Sequence, residues 1–337
     1  MSDLSDNPVT HRVRASGEGM PLLQYLLEFL PGLPQAEVEE AVAQGRFRSD
    51  DGAALAADAL LRTGQVLLAD VPGRSPQDPF LPPPPQRLPE LFRDQHLIAV
   101  CKPAGLLCHP MGVHKVAALA IMARTLREDG ENDELRPLHR LDRETSGILL
   151  MARDLHSDAH IKRQFVERSV TKSYLALVRG RLAENEVLVD APIAADDGPI
   201  RVRMRVHNSG KTAQTLLRPI AHFGDDDFGE AGRGYTWVRA SPRTGRTHQI
   251  RVHLAHIGHP LVGDKLYCGT GEAFLRKWHG TLTQAHIDEL GLPRHALHAQ
   301  AMSLEHPHSG KVLRLQAPRA EDLARFAQLR GGSWPAF

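Results

Sequence analysis

The sequence predicts an α+β protein in two parts, a small α+β module and then a larger domain built on a mixed, mainly antiparallel sheet. Three observations predict it. Residues 72–89 (PGRSPQDPFLPPPPQRLP) hold eight prolines, four of them consecutive, and such a run favours an extended, semi-rigid spacer. Beyond it, short apolar runs alternate with amphipathic stretches. Residues 187–221 and 234–240 are rich in Val, Ile, Leu and Thr with Gly and Asn punctuation, which suits antiparallel hairpins rather than βαβ units. The expected division is therefore 1–71, a linker at 72–89, and 90–337. A chain of 337 residues with 42% hydrophobic and 24% charged content has room for two domains and a sizeable core.

The elements follow in order. Residues 1–19 are polar and read as irregular. Leu22, Leu23, Leu26, Leu27 and Leu30 recur at helical steps, and Pro31-Gly32 ends that helix. A second helix is predicted over 35–44 and stopped by Gly45, with short strands and turns to Val71. In the larger part, Leu97–Val100, Gly147–Met151 and Ser173–Val178 read as strands, and Val116–Leu126 and His156–Val166 as helices. Thr247–Ile257 reads as a helix closed by Gly258, with Ile250, Leu254 and Ile257 on one face. His298–Leu304 and Val312–Leu315 read as late strands, and Arg319–Leu329 as a final helix. No internal repeat has a fixed period.

Charge separates the two parts. The chain carries 41 basic and 40 acidic residues, a net of +1, which excludes a strongly basic nucleic-acid binder. Residues 1–72 hold 5 Arg against 11 Asp or Glu, a net of −6, so the remainder carries +7. A polyanionic partner is expected on that basic body. Cys101, Cys108 and Cys268 have no CxxC spacing, which argues against a disulfide framework or a cysteine zinc site and fits a reducing cytoplasm. No signal peptide or membrane-spanning run is read in the sequence.

Three segments combine polar groups with tight turns. In His139-Arg140-Leu141-Asp142-Arg143-Glu144-Thr145-Ser146-Gly147, two arginines flank Asp142 and should keep it ionised. An ionised aspartate on a loop between buried elements is a candidate nucleophile or base; a structural Arg–Asp pair or turn cap is the bland alternative. Arg243-Thr244-Gly245-Arg246-Thr247-His248-Gln249-Ile250-Arg251 enters a helix that Thr244 or Thr247 would cap. Its arginines and helix amides suit an anion, against the alternative of a solvated basic turn. In Lys172–Val178, alternation places Ser173, Leu175 and Leu177 on one face and Tyr174, Ala176 and Val178 on the other. Tyr174 either stacks on a base or fills core.

Together these segments resemble the RluA-type pseudouridine synthases, which act on ribosomal and transfer RNA. The resemblance rests on Lys102-Pro103-Ala104-Gly105-Leu106, His139–Asp142 with Thr145-Ser146-Gly147, Lys172-Ser173-Tyr174, and Gly210-Lys211-Thr212-Ala213. It continues through Thr244 to Asp264 (TGRTHQIRVHLAHIGHPLVGD), Leu297-His298-Ala299 and His306-Pro307, and covers about residues 90–330. It implies the pseudouridine synthase fold with a catalytic cleft, Asp142 as the catalytic aspartate, Arg251 as its pairing arginine and Tyr174 against the target base. It implies substrate contacts from Arg140, His139, Lys102, Arg246, Thr247, His248 and Gln249, no cofactor and no metal. The implied partner is structured ribosomal or transfer RNA, without a nucleotide cofactor or membrane, and the expected state is a cytoplasmic monomer. The head resembles an S4-type RNA-binding module only loosely, through Gln44-Gly45-Arg46-Phe47, Asp51-Gly52 and Gly64, and its acidity argues against strong phosphate binding.

The chemistry fits so spare a set. Converting uridine to pseudouridine breaks N1–C1′ and makes C5–C1′, with no oxidation or hydrolysis. Asp142 attacking C1′, attacking C6 or removing a ribose proton are all open at this stage. The target base has to leave its stack, and Tyr174 offers a stacking surface.

Rival readings are weaker. Asn208-Ser209-Gly210-Lys211-Thr212 resembles the end of a P-loop, but position 205 is Arg205 rather than Gly. His248, His253, His256 and His259 lack a HExxH pattern, and the zinc deaminase pattern is absent. A nucleoside hydrolase would need a second carboxylate beside Asp142, for which Glu144 is the neighbour in sequence. A catalytically inactive RNA-binding or ribosome-assembly protein on the same fold is the alternative from another class, and the intact Asp142, Tyr174 and Arg251 set speaks against it.

Overall fold

The computed structural model describes residues 9–13, 17–29, 35–69, 80–81, 87–108, 135–228 and 233–336. These residues fall into two compact units: 9–69 together with 276–282, and the rest of the described chain. The helix expected over Val116–Leu126, the Pro31-Gly32 stop and most of the proline-rich run lie outside the described residues.

In the first unit β1 (Val9–Arg12), β2 (Phe47–Ser49) and β3 (Val66–Ala69) form an antiparallel sheet in the order β1-β3-β2. Val9–Arg12, read from sequence as irregular, thus forms a strand: four residues of β3 supply the ladder that local pattern does not reveal. Helices α1 (Leu22–Phe29) and α2 (Gln35–Ala43) complete the unit. Leu22, Leu26, Val38, Val42, Phe47 and Leu67 make its core with the buried ring of Tyr25.

The second unit is organised by a ten-stranded sheet. Its strands are β4 (Glu90–Arg93), β5 (Leu97–Lys102), β6 (Arg136–Pro137), β7 (Ser146–Ala152), β8 (Thr171–Arg179) and β9 (Val187–Asp190), with β12 (Gln214–Asp227), β13 (Arg233–Pro242), β14 (Leu297–Glu305) and β15 (Val312–Gln316). The order is β4-β5-β7-β14-β8-β13-β12-β9, with β15 on β14 and β6 on β7. The β7–β14 pair is parallel and the other pairs antiparallel, which is the mixed, mainly antiparallel sheet expected. A separate hairpin joins β10 (Ile193–Ala195) to β11 (Met204–Val206). The helices are α3 (Leu155–Glu167), α4 (Gln249–His256), α5 (Glu272–Trp278), α6 (Gln284–Leu290) and α7 (Glu321–Gln328).

The central strands are buried on both faces. All seven residues of β7 are buried, so it reads as a continuous apolar run rather than an alternating one. On β8 the alternation holds: Leu175 and Leu177 pack with Trp237 and Phe326, while Ala176 and Val178 pack with Leu254 and Leu261, with Tyr174 at that cluster's edge. Gly147 has φ of +110°, and a Cβ there would lie 2.3 Å from the Ala299 carbonyl oxygen. That position can only be Gly if β7 is to meet β14. Among the described residues no helix is long and apolar enough to cross a membrane.

Candidate active site

The loop that feeds β7 carries Asp142, and neighbouring backbone holds the loop in place. Gly105 N donates to Arg143 O at 2.8 Å, Arg143 Nε donates to Gly105 O at 3.1 Å, and Leu141 pairs with the Cys108 sulfur. Lys102 lies beneath this contact, fully buried. Its ammonium donates to Pro103 O and Leu106 O at 2.8 Å and to Arg143 O at 3.1 Å. All three N–H groups are thereby occupied. Lys102, expected as an RNA contact, clamps the 102–106 turn to the Asp142 loop. Burial pushes its pKa down to about 8.

The loop is also tied to the entry of β14. Thr145 Oγ1 pairs with His295 Nε2 at 2.7 Å, and Ser146 Oγ with His298 Nδ1 at 2.8 Å. Glu144 meets Lys265 at 3.1 Å and accepts from His295 N at 3.3 Å; its side chain is 13% exposed. A carboxylate so paired is not poised as a second catalytic acid, which removes the sequence feature that favoured a hydrolase.

Arg251 comes from α4. His248, the residue before the helix, adopts a left-handed backbone with φ of +56° and makes no side-chain cap. A non-Gly residue held there signals a locally strained segment. The expected Thr cap does not form. Instead Thr244 Oγ1 donates to Gln249 Oε1 at 2.6 Å and accepts from Gln214 N at 3.0 Å. Gln249 Oε1 also accepts from Arg246 N, and its Nε2 donates to Gln214 O and Thr215 Oγ1. The buried Gln249, expected as a substrate contact, bonds within the turn.

The two loops meet on Arg251. Its Nε and Nη2 donate to the two oxygens of Asp264 at 2.7 and 2.8 Å, and its Nη1 donates to Asp142 Oδ2 at 3.0 Å. Asp264 also accepts from Leu266 N and Tyr267 N, and Arg251 lies over the Tyr267 ring at 5.0 Å. Gly263, with φ of +76°, lets this turn pass beside Arg294, whose carbonyl oxygen would lie 2.0 Å from a Cβ. Asp264 ends the motif run quoted above but had no role assigned from sequence. Its position thirteen residues after Arg251 carries no local signal of the pairing.

Asp142 stays ionised although burial pushes its pKa up. In the acid range where the carboxyl would take up a proton, the charges of His248 and Arg251 and the bond from Arg251 outweigh that, and the net direction is down. Burial and Arg251 push His248 itself down to about 4, so its imidazole is neutral at pH 7 and Arg251 supplies the standing positive charge. His248 Nε2 lies 3.9 Å from Asp142 Oδ2, and its Nδ1 pairs with Tyr267 Oη at 2.9 Å. Asp142 keeps 27% side-chain exposure. Tyr174 on β8 is half-buried; burial first, then the Asp142 charge, raises its pKa and keeps the phenol protonated.

The remaining expected contacts divide. Arg140 and Thr247 are exposed, and Arg246 is half-buried with Nε on Thr212 O. His139 faces inward: Nε2 accepts from Leu150 N at 3.1 Å, its ring tilts on Phe165 at 5.8 Å, and burial pushes it down to about 3. The acceptor nitrogen of His139, expected as an RNA contact, orients the loop against β7. His253 and His259, weighed as metal ligands, bond to Thr215, Ala191 and Arg179 instead.

An ionised carboxylate near a neutral tyrosine and exposed basic residues are the features of a site that suits a polyanionic, base-bearing substrate. Comparison with known proteins gives the family. The family described as RNA pseudouridylate synthase matches residues 96–256. The ribosomal large subunit pseudouridine synthase D of Nitrosomonas europaea is 33% identical over 97% of this chain and 89% of that protein. The synthase of the same name from Xanthomonas campestris is 34% identical over 96% and 95%. The ribosomal large subunit pseudouridine synthase C of Pasteurella multocida is 33% identical over 89% and 87%. Human RNA Pseudouridylate Synthase Domain Containing 1 superposes with a TM-score of 0.56 at 27% identity, covering 73% of this chain and 90% of that one. The chain belongs to the RluA family of RNA pseudouridine synthases, isomerases that convert uridine to pseudouridine in RNA. An inactive binding protein on the same fold is not favoured.

Proposed function

We propose that the chain isomerises uridine in structured ribosomal RNA of the large subunit, with Asp142 as the catalytic aspartate. The observation that carries this reading is the Arg251–Asp142 bond at 3.0 Å on a carboxylate that is still partly exposed. It keeps the oxygen anionic and aimed while leaving it open to a nucleotide. Relatives named as ribosomal large subunit pseudouridine synthases support the large-subunit target over transfer RNA. Tyr174, held neutral, packs against the extruded base and does not take the C5 proton at pH 7. Arg140, Arg246 and Thr247 contact the RNA, with the arginines facing phosphate. His248 acts through Tyr267 and Asp142 to shape the pocket. The chemistry uses no cofactor, and the protein works as a cytoplasmic monomer. Residues 1–71 and 90–337 are separate domains joined by 72–89, and the acidic head contributes to target choice rather than to chemistry.

The test is release of tritium from ribosomal RNA labelled at uridine C5. The wild type is expected to release it and Asp142→Asn to fail while still binding RNA. Full activity in Asp142→Asn would remove the assignment. Release from transfer RNA alone would keep the chemistry and replace the target.

A further inference from the structure

One cluster in the second unit has no part in the site just described. His96 follows β4, Asp154 precedes α3, and His308 lies in the turn between β14 and β15. These residues are 58 and 154 positions apart in sequence, yet one ligand atom from each lies within 4.8 Å of the other two. We propose that His96, Asp154 and His308 form a binding site for a divalent transition-metal ion of the zinc class.

The distances suit such an ion. Asp154 Oδ2 is 3.1 Å from His96 Nδ1 and 3.8 Å from His308 Nε2. In a tetrahedral zinc site with bonds near 2.05 Å, ligand atoms lie about 3.3 Å apart. The observed pair of distances brackets that value, so small side-chain rotations close the site. Two imidazoles and one carboxylate select zinc, cobalt, nickel or copper over magnesium and calcium, which prefer all-oxygen sets.

The ligands are also held in advance. Ser157 N donates to Asp154 Oδ1 and Ser157 Oγ to Oδ2, each at 2.7 Å, so the carboxylate is oriented by a buried serine. The His96 backbone is fixed by its N–H to Asp94 Oδ1 at 2.8 Å and by Arg153 N donating to its carbonyl at 2.9 Å. The rings of His96 and His308 lie together with centroids 3.4 Å apart and planes 13° from parallel, so the imidazoles turn about their side-chain bonds to aim both nitrogens at one ion. Other groups nearby are engaged elsewhere: His306 Nε2 is bound to Asp94 Oδ2 at 2.7 Å, and Arg153 Nη1 donates to Asp94 O at 2.6 Å. The exposed His156, its ring 4.8 Å from that of His308, supplies the next imidazole beside an open coordination position. Bound metal would tie three segments at one end of the sheet, an effect on stability rather than on isomerisation.

The experiment is a zinc titration of untagged full-length protein by calorimetry in excess Mg2+, with Co2+ absorption as a second reading. One equivalent of Zn2+ is expected per chain, together with a rise in melting temperature. His96→Asn and His308→Asn should each weaken binding at least tenfold, abolish that rise and leave tritium release from RNA unchanged. Asp154→Asn keeps a good helix cap and is expected to weaken binding as well. Absence of saturable zinc binding, or wild-type affinity in all three variants, would overturn the proposal.

Discussion

The loop carrying Asp142 and the loop carrying Asp264 meet on one guanidinium but treat their carboxylates differently. Asp264 is fully buried and receives two bonds from Arg251 and two from backbone amides. Asp142 receives one bond from the same arginine and keeps 27% of its side-chain exposure. Asp264 anchors Arg251, and Arg251 then presents charge to Asp142. The arrangement explains how the partly exposed Asp142 stays ionised although burial opposes it: a second, buried carboxylate holds the cation in place there. The anchoring carboxylate and the partly exposed one thus lie on separate loops, each supported by its own backbone contacts.

The largest test of this comparison is Arg251→Ala. It strands Asp264 as a buried charge without its partner, so unfolding in urea should cost about 3–5 kcal/mol less than for the wild type, and tritium release should vanish. A stable, inactive Arg251→Ala protein would mean that Asp264 does not depend on the arginine. Next, the two Asn variants should separate. Asp142→Asn is expected to lose about a thousandfold or more in turnover with its urea midpoint close to wild type. Asp264→Asn should lose both activity and about 2–3 kcal/mol of stability, since an amide cannot serve both Arg251 nitrogens and both backbone donors. Equal stability in the two variants would erase the distinction drawn here.

Lys102→Met extends the comparison to the support beneath Asp142. Three backbone carbonyls lose their donor, so a loss of roughly 2 kcal/mol is expected, with RNA affinity measured by filter binding unchanged. A fall in RNA affinity alone would restore Lys102 as a contact residue. Acid should act on the two loops at different pH. His248 and His298 are pushed down to about 4 by burial first, against about 6.5 when unfolded. Between those values the unfolded chain binds more protons, so stability is fully present above pH 6.5 and is lost as pH falls toward 4. For Asp264 burial raises the pKa, but the charge and bonds of Arg251 more than reverse it, so its contribution is lost only below the ordinary carboxylate range. The urea midpoint at pH 4.5 should therefore lie below that at pH 7, and His298→Asn should narrow the gap; an unchanged midpoint would contradict the buried neutral imidazoles. The smallest effect concerns the head. Deleting residues 1–88 should leave tritium release from a short stem-loop within a fewfold of wild type while changing the choice of sites in whole RNA. Failure of the truncated chain to fold would contradict the proposed domain division.

Legibility in the sequence followed the range of the forces involved. Leu97–Val100, Gly147–Met151 and His156–Val166 were readable because apolar period and length report local structure. Val9–Arg12 was not, because its strand state comes from pairing with β3. Asp142, Arg251 and Tyr174 were identified through motifs, and the structure brings the first two into contact. Lys102, His139 and Gln249 sit in the same motifs, and the resemblance implies substrate contacts for them. Their hydrogen bonds go to Arg143, Leu150 and Gln214, partners that no spacing announces.

By itself the sequence determined the α+β class, the change in character at the prolines, the family and the three residues around which the chemistry is proposed. These depend on patterns that each segment carries within itself. Only the tertiary structure decided which motif residues are exposed and which brace the loop, that Asp264 holds Arg251, and that His96, Asp154 and His308 converge. A hydrogen bond is made or lost within a few tenths of an ångström between residues as much as 212 positions apart, and distances of that kind exist only once the sheet has closed.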